Sequence, residues 1–144
     1  MTIAWRLCRR PYADLSGDGA RLYGGRCNSP GHAVVYTTEA AALAVLEVRV
    51  HLDLDRSLLP ADYVLVAIDL DGLAIESLED APANPAAFGD AWLQSRRSPV
   101  LGVPSVLVRE SRNLLINVVH PEAGNAAIAS IRPFSFDQRL WRPI

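Results

Sequence analysis

Short apolar runs alternate with polar segments along the whole chain, and the runs are of two kinds. Runs rich in β-branched and aromatic residues predict strands at 2–8, 33–37, 63–70, 105–108, 113–118 and 127–134. Two longer segments rich in Ala and Leu, 39–53 and 86–97, predict helices. Strands at both ends with few βαβ units indicate an α+β fold whose sheet is mixed or antiparallel. The last residues, 134–141, are expected to run along the surface.

The segment 39–53 gives the clearest helix prediction. Thr37 or Thr38 is the candidate N-cap, and Glu39 would lie in the first turn, where the helix dipole favours an acid. Leu43, Leu46, Val50 and Leu54 recur at helical spacing and predict the apolar stripe.

Glu47 follows Leu46 directly and lies four residues after Leu43, so the pattern places its carboxylate on the apolar stripe. Burying an unpaired carboxylate costs several kcal/mol, roughly, unless a partner compensates. Two interpretations stay open: a glutamate at the stripe edge that reaches water, or a carboxylate that faces a cleft. His51, one turn later, has metal-compatible spacing to Glu47, but no further ligand accompanies the pair.

A glycine-rich polar segment, 14–32, precedes the second predicted strand, and long loops of this kind are often functional. Within it, Gly24 and Gly25 free the backbone to approach a ligand and to present N–H groups to a phosphate. Arg26 adds a planar, permanently charged fork for phosphate or carboxylate. The alternative is a hairpin loop with a solvated arginine.

Two further side chains are candidates by position. Tyr36 ends a predicted strand, where it is either a core residue or a stacking platform at the mouth of a cleft. Ser105 follows Val103-Pro104 and begins a predicted strand; it does not lie in a GxSxG elbow, so a hydrolase nucleophile is not indicated.

Composition narrows the class of protein. The chain has 144 residues, half of them hydrophobic, which fits a single domain, 1–144, with its own core. A net charge of -2 argues against a general nucleic-acid binder. Two cysteines, Cys8 and Cys27, form no disulfide framework or zinc motif. No signal peptide or membrane-spanning run is evident, so we expect a cytoplasmic protein without membrane or metal partners.

Three segments together resemble the RES-domain family, the toxins of bacterial RES–Xre toxin–antitoxin pairs. The segments are 4–51, 103–121 and 132–140, and they span nearly the whole chain. The Arg of the family's GGRWN-type motif matches Arg26, and the Glu of its ALAVLE-type helix matches Glu47.

The remaining family positions follow from the same resemblance. Ser105 is our choice for the family serine, with Ser111 and Ser130 as alternatives. Tyr36 matches the strand-end tyrosine, and Cys27 stands where the family usually has Trp. The N-x-L-x-N segment is matched by Asn113 and Asn117. The resemblance implies catalytic roles for Arg26, Tyr36, Glu47 and Ser105, and binding roles for Gly24, Gly25, Arg26, Asn28, Tyr36 and Asn113.

The resemblance implies an ADP-ribosyltransferase-like α+β fold, with flanking helices, that takes NAD+ as substrate. The toxin would degrade NAD+ by cleaving the nicotinamide–ribose bond, through hydrolysis or phosphorolysis. One alternative is transfer of ADP-ribose to a specific protein; another is a non-enzymatic NAD+- or partner-binding module. An Xre-type helix-turn-helix antitoxin that blocks the active site is the implied partner.

Overall fold

The computed structural model describes residues 2–142; Met1, Pro143 and Ile144, which the predicted domain includes, lie outside the described residues. The strands are β1 (Ile3–Arg9), β2 (Val34–Thr38), β3 (Tyr63–Asp69), β4 (Ile75–Ser77), β5 (Val100–Pro104), β6 (Arg112–Asn117) and β7 (Ala127–Pro133). The helices are α1 (Asp18–Tyr23), α2 (Ala41–Arg49) and α3 (Pro85–Ser95), with short 3-10 turns between elements.

The strands form one sheet in the order β4-β5-β6-β2-β1-β3-β7. Neighbouring strands run antiparallel except β4 and β5, which are parallel. The predicted α+β class with a mixed sheet is therefore confirmed. Five of the six predicted strands correspond to β1, β2, β3, β6 and β7.

The sheet nearly divides between β1 and β2. These strands pair only at Trp5 and Thr38, whereas β1 pairs with β3 along its whole length, Ile3–Arg9. On the other side, β2 pairs with β6 throughout Val34–Thr38. The result is two well-paired half-sheets that are joined by a single paired position and diverge beyond it.

The predicted strand at 105–108 is wrong, because the extended segment lies earlier, in β5. At its end Ser105 turns the chain: its hydroxyl accepts hydrogen bonds from the backbone N–H groups of Leu107 (3.1 Å) and Val108 (3.3 Å). A serine side chain that satisfies nearby N–H groups replaces ladder bonds and favours a turn. The apolar run that followed Ser105 in the sequence is therefore an exposed loop.

The helix predicted at 39–53 is the shorter α2, and of its predicted stripe only Leu43 is buried. It begins after Ala40, which has no side-chain cap; the Thr38 hydroxyl instead donates to the Ala40 carbonyl oxygen at 2.7 Å. Leu46 and Val50 are 38% and 46% exposed. The buried side carries Leu43, which the predicted stripe included, and Ala44, which it did not.

The physical reason is that α2 is apolar almost all round. Its sequence, AALAVLEVR, has only Glu47 and Arg49 as polar residues, so helical periodicity alone cannot choose the buried face. Tertiary packing chooses it: Ala44, with Val48 beside it, packs against Leu7 and Phe136.

The C-terminal segment also differs from its prediction as a surface stretch. Phe136 is only 4% exposed, and its ring meets those of Tyr63, Phe134 and Trp141 edge-on at centroid distances of 5.4, 5.1 and 5.4 Å. Such edge-to-face contacts are favourable beyond the area they bury. The segment therefore closes the core beside the end of α2.

Candidate active site

A cleft of about 630 Å³ opens where β1 and β2 diverge, a size typical of small-molecule sites. Each half-sheet contributes one wall, and α2 and the glycine-rich loop add the rest. Its polar and aromatic lining includes Trp5, Arg6, Arg26, Tyr36, Thr37, Thr38, Glu47, His51 and Asn113. The structure thus brings Arg26, Tyr36 and Glu47 to one cavity.

Glu47 is a half-buried carboxylate at the cleft end of α2. It lies between the buried Leu43 and Ala44 on the helix surface, so the expectation that it faces inward holds, although the predicted stripe does not. Its Oε1 accepts a hydrogen bond of 2.9 Å from the Ser105 hydroxyl. A carboxylate in the last turn of a helix opposes the macrodipole, which costs about 0.3–1 kcal/mol. The stability of α2 therefore does not explain why a glutamate stands at this position.

Ser105 is 1% exposed and lies behind Glu47. The hydroxyl oxygen accepts from two backbone N–H groups while its hydrogen is donated to the carboxylate. The three serines left open by the sequence are therefore not equivalent in position. Ser130 pairs with Ala67 on the exposed edge strand β7, and Ser111 follows the loop after Ser105.

The glycine-rich turn that carries Arg26, called here the Arg26 loop (residues 24–29), is closed by its own backbone. The Gly25 N–H donates to the Asn28 carbonyl oxygen at 3.0 Å, and the Asn28 N–H returns a weaker bond of 3.4 Å. The Gly24 N–H donates to the Ala20 carbonyl oxygen at 2.8 Å. The prediction that Gly24 and Gly25 present N–H groups to a phosphate is therefore wrong.

Tyr36 and Asn28 fasten this loop to the sheet. The Tyr36 hydroxyl accepts from the Cys27 N–H at 3.0 Å and donates to Asn28 Oδ1 at 2.6 Å. A side chain at Gly25 would lie 2.6 Å from that hydroxyl, so glycine is needed for the approach. Burial raises the pKa of Tyr36, which keeps the hydroxyl protonated as a donor.

Asn28 is itself enclosed, at 2% exposure, and its amide donates to the carbonyl oxygens of Ala20, Ser29 and His32. Because both ends of its amide group are hydrogen-bonded inside the protein, Asn28 has no polar atom directed at the cleft. The expectation that Asn28 contacts a ligand is not supported by this geometry.

Two arginines give the cleft its positive charge. The exposed Arg26 side chain makes no ion pair or hydrogen bond with any part of the chain between residues 2 and 142. Arg6 on β1 was not singled out from the sequence; it lines the cleft and is anchored through Nη1 to the Tyr12 and Asp14 carbonyl oxygens at 2.8 and 2.9 Å. The available signal was a charged residue inside an otherwise apolar strand.

The two asparagines of β6 have different surroundings. Asn117 is fully buried and donates to the Leu93 carbonyl oxygen at 3.1 Å, which is a structural contact. Asn113 lines the cleft, and its buried Oδ1 has no hydrogen-bond partner within the described residues. A buried acceptor left without a donor costs about 1–3 kcal/mol and is often explained by a ligand.

Two other kinds of feature, a metal cluster and a membrane-spanning helix, are absent from the described residues, 2–142. His51 lines the cleft beside Glu47, yet no group of three or more His, Cys, Asp or Glu side chains in this range is placed to hold a metal ion. The same range contains no helix of the length and apolarity required to cross a membrane.

The sequence profile of the RES domain matches residues 3–137. The chain belongs to the RES domain family. It is 40% identical to the Prs ADP-ribosylating toxin of Sphingobium sp. (strain YBL2), over 98% of both chains. It is 35% identical to the Toxin Res of Yersinia enterocolitica, over 96% of this chain and 99% of the relative. A Toxin Res of Pseudomonas putida is 33% identical over similar shares, 96% and 99%.

The fold of this RES domain also has a solved counterpart. The crystal structure of the Mycobacterium tuberculosis MbcT–MbcA toxin–antitoxin complex contains a chain that superposes with a TM-score of 0.76. The match covers 93% of this chain and 84% of that chain at 21% identity, which establishes a shared fold. The family resemblance is thereby confirmed, and the chain is a RES-domain toxin.

Proposed function

We propose that this RES domain is the toxin of a toxin–antitoxin pair that takes NAD+ as substrate and breaks its nicotinamide–ribose bond. The observation that carries the proposal is the half-buried Glu47 carboxylate, held by Ser105 in the same cleft as two arginines, Arg6 and Arg26. The leading outcome is degradation of NAD+, with water or phosphate as acceptor of the ADP-ribose.

Glu47 has the chemistry that the bond cleavage requires. When the glycosidic bond breaks, its electron pair leaves with nicotinamide, and positive charge develops on the ribose. A fixed carboxylate beside that ribose stabilises the charge most in the transition state. The acceptor then bonds to the same carbon; with water, the products are nicotinamide, ADP-ribose and a proton.

Arg26 and Arg6 account for the other end of the substrate. NAD+ carries two negative charges on its diphosphate, and guanidinium groups bind such oxygens through paired N–H donors. Arg26 is unpaired and exposed, while Arg6 is anchored by backbone carbonyls in the opposite wall. In this proposal Gly25, Asn28 and the hydroxyl group of Tyr36 act indirectly, since they hold the Arg26 loop.

Asn113 and the Tyr36 ring belong to the wall of the cleft between these two ends. The unpaired Oδ1 of Asn113 is an acceptor for a substrate hydroxyl or amide N–H. The ring of Tyr36 lines the same cavity and offers a face on which a planar or sugar ring stacks.

The experiment that tests the function compares nicotinamide release by the wild type and by Glu47→Gln. Glutamine keeps an Oε1 acceptor for Ser105 but removes the charge, so the fold is preserved while the electrostatic stabilisation is lost. We expect release to fall roughly 100-fold or more, the size of comparable electrostatic losses. Turnover by Glu47→Gln at the wild-type rate would remove Glu47 from the mechanism.

Transfer of ADP-ribose to a protein is the second candidate, and one observation favours it: the relative with 40% identity is named an ADP-ribosylating toxin. Both candidates share the cleavage step and differ only in the acceptor. Incubation with adenylate-labelled NAD+ and a cell lysate separates them. A discrete labelled protein band supports transfer, whereas label found only in ADP-ribose or its phosphate supports degradation.

The rim of the cleft suits a protein partner. Val50, Val106 and Leu107 line the mouth of the cavity and are 46%, 53% and 39% exposed. Adjacent exposed apolar side chains commonly mark protein contacts. We propose an Xre-type helix-turn-helix antitoxin as that partner, which would cover the cleft; the MbcT–MbcA structure is a complex of a toxin with its antitoxin.

A further inference from the structure

Helix α3 (Pro85–Ser95) lies against the Arg26 loop. Gly89 of α3 is buried, and a Cβ built there would overlap the Cys27 carbonyl oxygen and lie 2.7 Å from the carbonyl carbon. No real side chain tolerates such contacts with backbone. The loop backbone therefore approaches α3 as closely as it does only because residue 89 is glycine.

The next residue of α3 adds a polar contact. The Ser29 N–H donates to Asp90 Oδ1 at 2.8 Å. Partial burial raises the pKa of Asp90, but hydrogen bonds from the Ser29 side chain and backbone, helped by His32, lower it more, so the net direction is downward. Asp90 is thus ionised at neutral pH, and its bond to Ser29 is charge-assisted.

Together these contacts hold the backbone that directly follows Arg26. Cys27, directly after it, is held between the Tyr36 hydroxyl and Gly89, and Ser29 is held by Asp90. The Arg26 guanidinium has no partner of its own among residues 2–142, so the direction of this side chain depends on the backbone that carries it.

We propose that Gly89 and Asp90 are positioning residues for Arg26 and thereby determine how tightly the toxin binds the diphosphate of NAD+. This inference rests on the proposed function. It assigns a role to α3, which lies outside the three segments that carry the family resemblance. Glu47 is held separately by Ser105, so disturbance of the Arg26 loop acts on substrate binding and not on the cleavage step.

The test uses the full chain with Gly89→Ala, Asp90→Ala and Asp90→Asn. Gly89→Ala and Asp90→Ala are expected to raise the KM for NAD+ about tenfold or more while kcat changes little, since a hydrogen bond to a charged group contributes about 1.5–3 kcal/mol. Asp90→Asn keeps an acceptor for the Ser29 N–H and should restore most of the affinity. That rescue distinguishes a positioning role from general destabilisation.

Two substitutions serve as matched controls. Gly124→Ala adds the same methyl group where a Cβ meets nothing within 4 Å, and Asp55→Ala removes an exposed carboxylate. Both should leave the KM unchanged. If Gly89→Ala does not fold, the comparison of Asp90→Ala with Asp90→Asn still decides the question.

A second readout does not depend on NAD+. Cys27 is 6% exposed, and burial raises the pKa of its thiol, so it should react slowly with an aromatic disulfide reagent in the folded wild type. Gly89→Ala displaces the loop and should accelerate modification of Cys27 at least several-fold. Peptide mass analysis separates this thiol from Cys8.

The outcomes are distinguishable. If the wild type consumes NAD+ and both Gly89→Ala and Asp90→Ala have the wild-type KM, the positioning role is overturned. A wild type that leaves NAD+ intact overturns the proposed function, and the Cys27 reaction then still reports whether α3 holds the loop. An unchanged rate of Cys27 modification in folded Gly89→Ala overturns the placement of the loop against α3.

Discussion

At the scale of single residues, the link between Glu47 and Ser105 decides how the acid is presented. The Ser105 hydroxyl is fixed by two backbone donors, so its hydrogen has one direction, toward Oε1 of Glu47. A glutamate at a helix end is otherwise free to rotate. We therefore propose that the serine, which is 1% exposed, restricts the carboxylate to one orientation and acts through it.

Ser105→Ala is expected to lower kcat about 10- to 100-fold with little change in the KM for NAD+. Loss of a charge-assisted hydrogen bond costs about 1.5–3 kcal/mol, and each ~1.4 kcal/mol added to the activation free energy is a factor of ten in rate. Steady-state nicotinamide release measures both constants. Ser130→Ala, on the exposed strand β7, is the control and should behave as the wild type. An equal loss in both variants would contradict the assignment of Ser105.

At the scale of elements, the C-terminal segment clasps the end of α2. The Arg49 guanidinium lies 3.9 Å from the centroid of the Trp141 ring and donates to the Leu140 carbonyl oxygen at 3.1 Å. The Trp141 indole N–H in turn donates to the Leu54 carbonyl oxygen at 2.9 Å. These contacts fix the last turn of the helix, which contains Glu47.

Trp141→Ala is expected to lower the free energy of unfolding by about 2–3 kcal/mol. This loss of stability combines the contributions of a cation–π contact, a hydrogen bond and part of a buried aromatic surface. Urea unfolding followed by circular dichroism measures it. Trp141→Phe keeps a ring beneath Arg49 but loses the indole donor, so it should cost about 1 kcal/mol. Equal stability of all three proteins would show that the contacts of Trp141 with Arg49 and Leu54 do not stabilise the fold.

These elements also show what the sequence is able to predict. Strands with clear β-branched runs, such as β3, follow from local pattern. The buried face of α2 does not, because the helix is apolar nearly all round. The turn at Ser105 and the burial of Phe136 depend on contacts with residues distant along the chain, such as Glu47 and Tyr63.

At the scale of the whole molecule, the cleft exists because the two half-sheets part beyond Trp5 and Thr38. Arg6 belongs to one half, and Tyr36 and Asn113 belong to the other. Glu47 is carried by α2, whose buried side packs on the β1–β3 half. No sequence pattern predicts where two strands fail to pair, so the position of the cleft is known only from the structure.

A substrate that fills this cleft bridges two halves joined by little backbone pairing, and it should therefore stabilise the entire fold. We expect NAD+ at 100 times its Kd to add about 2.7 kcal/mol to the stability of Glu47→Gln, which binds without turnover. For a domain near 150 residues that corresponds to a rise in Tm of roughly 5–11 °C.

Thermal unfolding at increasing NAD+ concentration measures the stabilisation of Glu47→Gln. The control is the double variant Glu47→Gln/Arg26→Ala, which should need far more NAD+ for the same rise in Tm. Hydrogen exchange locates it: if NAD+ bridges the halves, amide protection increases in both segments that border the cleft without pairing with each other, residues 6–8 of β1 and residues 36–37 of β2. Protection confined to one segment would mean that the ligand binds a single wall. A constant Tm at millimolar NAD+ would mean that the cleft does not bind it, because any ligand that prefers the folded state must raise the Tm by mass action.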